Sequence, residues 1–176
     1  MNSIRIFDIK TNPTLSSCLF ALASVAQADL NVRFIEGAPK DRFEISSVSD
    51  CLNGPLTVSI NLDGSAGGLI FDTTSKGAGV EVFQPFELTT GTVLVDQAPT
   101  VMDGDTALSL RLSALPKGQV VAFTLDVDDT GSAREITVSG AEIAGARVKV
   151  DSAEGSRSAV FDATAQARVE ASSCDV

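Results

Sequence analysis

Apolar residues recur at every second position in run after run of this chain, and that period suits a half-buried β-strand, not a helix. Leu30, Val32 and Phe34 alternate with Asn31 and Arg33, and Leu56, Val58, Ile60 and Leu62 with Thr57, Ser59 and Asn61. Leu108, Leu110 and Leu112 flank Ser109 and Arg111, while Ala146, Val148 and Val150 flank Arg147 and Lys149. The longest run goes from Ala159 through Phe161, Ala163, Ala165 and Ala167 to Val169, and is expected to be one strand. Successive side chains of a strand point to opposite faces, so each run has a dry and a wet side, as in antiparallel sheets covering a core. Glu36-Gly37-Ala38-Pro39, Asn53-Gly54-Pro55, Asp63-Gly64-Ser65, Asp103-Gly104-Asp105 and Leu115-Pro116-Lys117-Gly118 punctuate the runs with turn chemistry. Ala141 to Ala146 is alanine-rich, but Gly140 and Gly145 bracket it too closely for a stable helix. The pattern predicts an all-β fold: a single antiparallel β-sandwich, immunoglobulin-like or related, of about 8–11 strands. Ser152 to Ser158 reads as an exposed loop. The glycine-rich Asp63 to Gly68 reads as a hairpin or bulge, since strand-like Leu69-Ile70-Phe71 follows it and not the helix a phosphate cradle needs.

The N-terminus has a different character. Arg5 and Lys10 precede a short apolar run from Leu15 to Val25, and Ala26-Gln27-Ala28 fits a small-residue cleavage site. Residues 1–28 are therefore expected to be a removed signal peptide and 29–176 a single β-sandwich domain, secreted or periplasmic. Leu15-Ser16-Ser17-Cys18 resembles a lipoprotein box but precedes most of the apolar run, and a cytosolic protein with a disordered or helical N-terminus is the other alternative. No later run approaches the roughly 20 apolar residues a membrane-spanning helix needs, so membrane insertion is not expected. Of the three cysteines, Cys18 leaves with the leader, and Cys51 and Cys174 are expected to pair in an oxidising compartment. Closing a loop that long stabilises by about 4 to 5 kcal/mol in the chain-entropy description. Two buried thiols are the alternative. Removing the leader takes Arg5, Lys10 and Asp8 from 13 basic and 23 acidic residues, leaving 11 against 22 and a net charge of −11. Such a surface repels phosphate backbones and anionic headgroups, which argues against nucleic-acid or peripheral membrane binding and favours divalent cations or plain solubility.

The chain contains no His, Trp or Tyr, so carboxylates are nearly its only chemical groups. They cluster at the end of the segment Val120 to Thr130. Val121, Phe123, Leu125 and Val127 form its inner face, and Asp126 and Asp128 share the outer face with Asp129 just beyond. Two same-face carboxylates lie about 6 to 7 Å apart along a strand and can share Ca²⁺, which takes oxygen ligands. Asp126, Asp128 and Asp129 are thus the candidate metal ligands. Asp103, Asp105, Glu135 and Glu142 are further candidates by residue type, and the spacing does not match an EF-hand. The competing reading is of solvated charges that blunt a sheet edge. Without His there is no Ser-His or Cys-His nucleophile. A carboxylate-pair hydrolase remains a weak alternative in a chain this poor in large aromatics, so no enzyme activity is expected and no catalytic residue is assigned. The opposite charges packed around the Gly-Pro turn of Phe34 to Phe43 suggest turn geometry, with local ion pairs worth under about 1 kcal/mol each.

Phe34-Ile35-Glu36-Gly37-Ala38-Pro39-Lys40-Asp41-Arg42-Phe43, Gly64 to Asp72, Gly79 to Glu87, Phe123 to Thr130 and Arg134 to Ala146 together resemble a family of exported marine-bacterial proteins. Those proteins are named as similar to the aggregation factor core of sponges. The resemblance implies adhesion at an outer surface, and Ca²⁺-dependent cell adhesion through the sponge proteins. It carries no site residues. The expected function is a non-catalytic secreted or periplasmic module for cell adhesion or extracellular matrix interaction, with Ca²⁺ as candidate cofactor and a protein or glycan at the cell surface as partner. The alternative is a glycan- or protein-binding module independent of metal.

Overall fold

The computed structural model describes residues 28–74, 83–130 and 138–170. These residues carry β1 (Ala28–Ile35), β2 (Asp41–Ser47), β3 (Leu56–Asn61), β4 (Leu69–Asp72), β5 (Glu87–Thr90), β6 (Val95–Gln97), β7 (Ala107–Leu112), β8 (Val120–Asp129), β9 (Arg147–Ser152), β10 (Gly155–Val160) and β11 (Gln166–Glu170). A single 3-10 turn, Thr92–Leu94, is the sole helical piece among them. The fold is all-β, and every strand pair is antiparallel. One sheet has the order β11-β1-β2-β8-β4, with β5 also pairing β8; the other has the order β10-β9-β3-β7-β6. The expected signal peptide lies outside the described residues except for Ala28, where β1 begins.

Register follows from alternation. In the first sheet Ala167, Val32, Ile45 and Val121 line up across four strands, and Phe34, Phe43 and Phe123 across three. In the second, Leu110, Val58 and Val150 form the matching row. Both sets are buried in one continuous hydrophobic cluster, so a one-residue slip of either sheet would turn a whole row out to water. Phe43 stacks on Phe123 and tilts against Phe34, each at 5.2 Å between ring centroids, and meets the edge of Phe161 at 6.5 Å. Full burial of each such ring contributes about 1.5–3 kcal/mol.

Three expectations change. The run from Ala159 to Val169 is not one strand: β10 ends at Val160 and β11 begins at Gln166 in the opposite sheet. Asp162 makes the break. Its Oδ1 accepts from the Thr164 amide (2.8 Å), the Thr164 hydroxyl (2.6 Å) and the Gln166 amide (3.2 Å), while Ala165 turns through φ 58°. Phe161, Ala165, Ala167 and Val169 still face the core, whereas Ala163, expected on the same face, is exposed in the turn. Second, Ser152 to Ser158 is a tight β9–β10 hairpin, and most of it belongs to an exposed, polar edge strand. Third, the glycine-rich Asp63 to Gly68 is no hairpin, because β3 and β4 lie in different sheets and the segment crosses between them. It lies against the Glu142–Gly145 turn, with Ala66 and Gly67 amides donating to Ala144 and Glu142 carbonyls (2.8 and 2.9 Å).

Candidate metal centre

The long strand β8 has β2 on one side and two short neighbours on the other. β5 pairs with Ala122 to Thr124, and β4 takes over at Asp126 to Asp129. The ladder with β2 stops at Asp41 opposite Leu125. Beyond it the Asp41 side chain continues the pairing: Val127 N–H donates to Oδ2 and Gly37 N–H to Oδ1, both at 3.0 Å. One carboxylate thus closes the β1–β2 turn and holds the end of β8.

On the far side the register sets Asp72 opposite Asp126 and Ile70 opposite Asp128. Directly opposed residues of an antiparallel pair share a face with Cβ atoms about 4.5–5.5 Å apart, where like charges repel. Asp72, Asp126 and Asp128 therefore share the face of the sheet away from Phe71 and Val127. A fourth carboxylate comes from the β6–β7 loop, which belongs to the other sheet. The Asp103-Gly104-Asp105 turn docks on β4 through Phe71 N–H to Asp105 O and Gly104 N–H to Phe71 O, each 2.8 Å. Asp103 Oδ1 then accepts from the Thr73 and Thr74 amides (3.0 and 3.2 Å), and its carboxyl meets that of Asp72. Asp72 is fully buried, and among the described residues neither of its oxygens has a hydrogen-bond donor against it; a proton shared with Asp103 joins those two groups.

The electrostatics follow. Burial pushes Asp72 up to about 7, helped by the contact with Asp103 and by the charges of Asp126 and Asp128. Burial likewise raises Asp126 to about 7, with Asp41 and Asp128 adding repulsion. Asp41 also rises to about 7 through burial, although its two amide donors pull the other way. Carboxyl groups crowded like this resist ionising together without a counter-charge.

Of the sequence candidates, Asp126 and Asp128 share the expected outer face. Asp129 is opposite Leu69, in the alternate phase, and its amide donates to Asp128 Oδ1 (3.2 Å). Asp103 joins the group, whereas Asp105 Oδ2 takes the Met102 amide of its own turn (2.8 Å). Glu142 caps Ser139, taking its amide at 2.6 Å and its hydroxyl at 2.7 Å. Glu135 lies outside the described residues. Asp41 and Asp72 were not singled out by sequence reasoning. Among the described residues no three acidic side chains already converge into a cage at metal-ligand distance. In place of ion pairs within the Gly-Pro turn, Lys40 reaches across to Glu87 on β5 at 2.5 Å.

Cys51 lies in the β2–β3 loop, its amide donating to Ser49 Oγ (3.0 Å), and lines a small cavity with Leu30, Leu52, Val169 and Glu170. Cys174 is outside the described residues. A separate polar groove of about 450 Å³, lined by Arg157, Ser158, Asp162, Gln166 and Arg168 among others, runs between β10 and β11 and contains none of the clustered carboxylates. No protein-family model matches the chain, and no curated protein matches it.

Proposed function

We propose that the chain is a non-catalytic, exported β-sandwich module, immunoglobulin-like or related, that makes Ca²⁺-dependent contacts in cell adhesion or extracellular matrix. The observation that carries this reading is the carboxylate group on the β4–β8 rim: oxygen donors of the kind Ca²⁺ takes, set apart from the β10–β11 groove. One core shared by both sheets supports the sandwich, and the resemblance to exported proteins named after an aggregation factor supports adhesion. A Cys51–Cys174 bridge fits the same compartment. Glu170 lines a cavity with Cys51, and the four further residues to Cys174 reach up to about 14 Å when extended.

Beads coated with the purified protein are expected to clump in millimolar Ca²⁺ and disperse in chelator. Beads that stay dispersed in both would reject adhesion between copies of the module, and an immobilised matrix extract extends the test to a foreign partner. A second reading, glycan binding without metal, is favoured by the β10–β11 groove. Its guanidinium, amide and carboxylate side chains suit sugar hydroxyls. A glycan array read in chelator separates the two.

A further inference from the structure

We infer that the groove between β10 and β11 is a binding site for an acidic sugar, with one carboxylate among hydroxyls as in a uronic or sialic acid, held by Arg157 and Arg168. The inference rests on the second reading above, glycan binding without metal, and names the class of glycan.

The groove exists because the two sheets end at the same place. β10 is the last strand of one sheet and β11 the last of the other, and the turn at Asp162 joins them. Each is paired on one side, β10 with β9 and β11 with β1. The space between them is about 450 Å³, within the roughly 300–1,000 Å³ of small-ligand sites. Such sites are mostly apolar, whereas this one presents Arg157, Ser158, Asp162, Gln166, Arg168 and Glu170. A hydroxyl-rich ligand suits it better than an apolar one. No aromatic ring is among the described residues that line it, so recognition rests on polar contacts and not on stacking.

The charges in the groove select the sugar. Acidic residues outnumber basic ones 23 to 13 in this chain, yet among the described residues neither Arg157 nor Arg168 belongs to an ion pair. A guanidinium is a fork of N–H donors, and each of these spends one within the chain. Arg157 Nη1 donates to Ser156 O and Arg168 Nη2 to Gln166 Oε1, both at 3.1 Å. The remaining donors suit a planar carboxylate, which can take such a fork in bidentate fashion. Two acids share the space. Asp162 Oδ1 is committed to the Thr164 and Gln166 donors of its own turn, and the charge of Arg168 is the weakest of the influences that lower its pKa. Glu170 lies two residues beyond Arg168 on the same face of β11. The lining is thus formally neutral, with two cations and two anions. A densely sulfated chain meets repulsion from Asp162 and Glu170 as well as attraction from the arginines. A sugar with a single carboxylate gives the arginines their anion and offers hydroxyls to Asp162, Glu170, Ser158 and Gln166.

The test is calorimetric titration of the purified protein in chelator with oligogalacturonate, its methyl ester, a sialylated oligosaccharide, a neutral oligosaccharide and dextran sulfate. Oligogalacturonate or the sialylated glycan should bind, and whichever does identifies the source of the carboxylate. Its affinity should exceed that of the ester and the neutral sugar by about tenfold, the scale of a hydrogen bond to a charged group, and should exceed that of dextran sulfate. R157Q and R168Q change exposed residues, so both should keep the wild-type melting temperature while losing about tenfold in affinity. R111Q, on β7 and outside the groove, should bind as the wild type does. If the ester or the neutral sugar binds as well as the acid, the inference falls and glycan binding stands. If no sugar binds in chelator, both fall. Tighter binding of dextran sulfate, or wild-type affinity in either arginine variant, overturns the inference.

Discussion

Asp41, Asp72 and Asp126 hold their protons to about pH 7 although an exposed aspartate releases its proton near 3.8. A group whose folded value lies above its unfolded value binds more protons in the native state than in the unfolded chain. Its contribution is fully present below the unfolded value and is lost as pH rises through the folded one. The metal-free protein should therefore lose stability between pH 4 and pH 7, opposite to a chain whose aspartates sit in salt bridges. Melting temperatures in chelator should fall from pH 5 to pH 8, and Ca²⁺ should restore more of the loss at pH 8, where it no longer competes with protons. A melting temperature that climbs over this range would contradict the burial of these groups. The same three residues show how unevenly a site can be read from sequence. Asp126 announces itself by phase on an apolar strand. Asp72 closes a strand too short to show a period, and its importance comes from standing opposite a residue 54 positions away.

Among the elements, β1, β3, β7, β8 and β9 were legible because each packs its apolar alternate residues into the core, so local pattern and tertiary environment agree, although β8 also buries Ala122 and Asp128 on its other face. β5, β6 and β10 were not, for they are short or exposed at sheet edges and owe their strand state to a neighbour's hydrogen bonds. The break at Asp162 escaped notice for a different reason: Phe161 and Ala165 stay in phase on either side of the turn and the exposed Ala163 between them is apolar, so period alone cannot detect it. Loop contacts are equally silent in sequence. Gly145 has φ 95°, and a Cβ there would stand 2.3 Å from the Gly64 carbonyl oxygen. G145A should therefore destabilise the protein by more than about 1 kcal/mol, seen as a lower urea midpoint with an unchanged slope. A neutral result would mean that the two loops part easily, and with them the crossing from β3 to β4.

For the whole molecule, the contacts that Phe43 makes with Phe34, Phe123 and Phe161 show why two sheets behave as one body. Phe161 sits on the connection between β10 and β11, so the chain changes sheet while its side chain stays in the common core. The first and last described strands are also neighbours, and antiparallel pairing brings Ala28 beside Glu170. A module held by those two points hangs from its anchorage like a pendant and does not span it. Tension applied there would peel β11 from β1 one hydrogen bond at a time and would not load the ladder in parallel. In single-molecule pulling, the module should open its terminal pair at lower force than sheet proteins whose end strands are sheared, and a covalent tie between Cys51 and Cys174 should raise that force until reductant is added. The weak point and its reinforcement would then lie at the same corner.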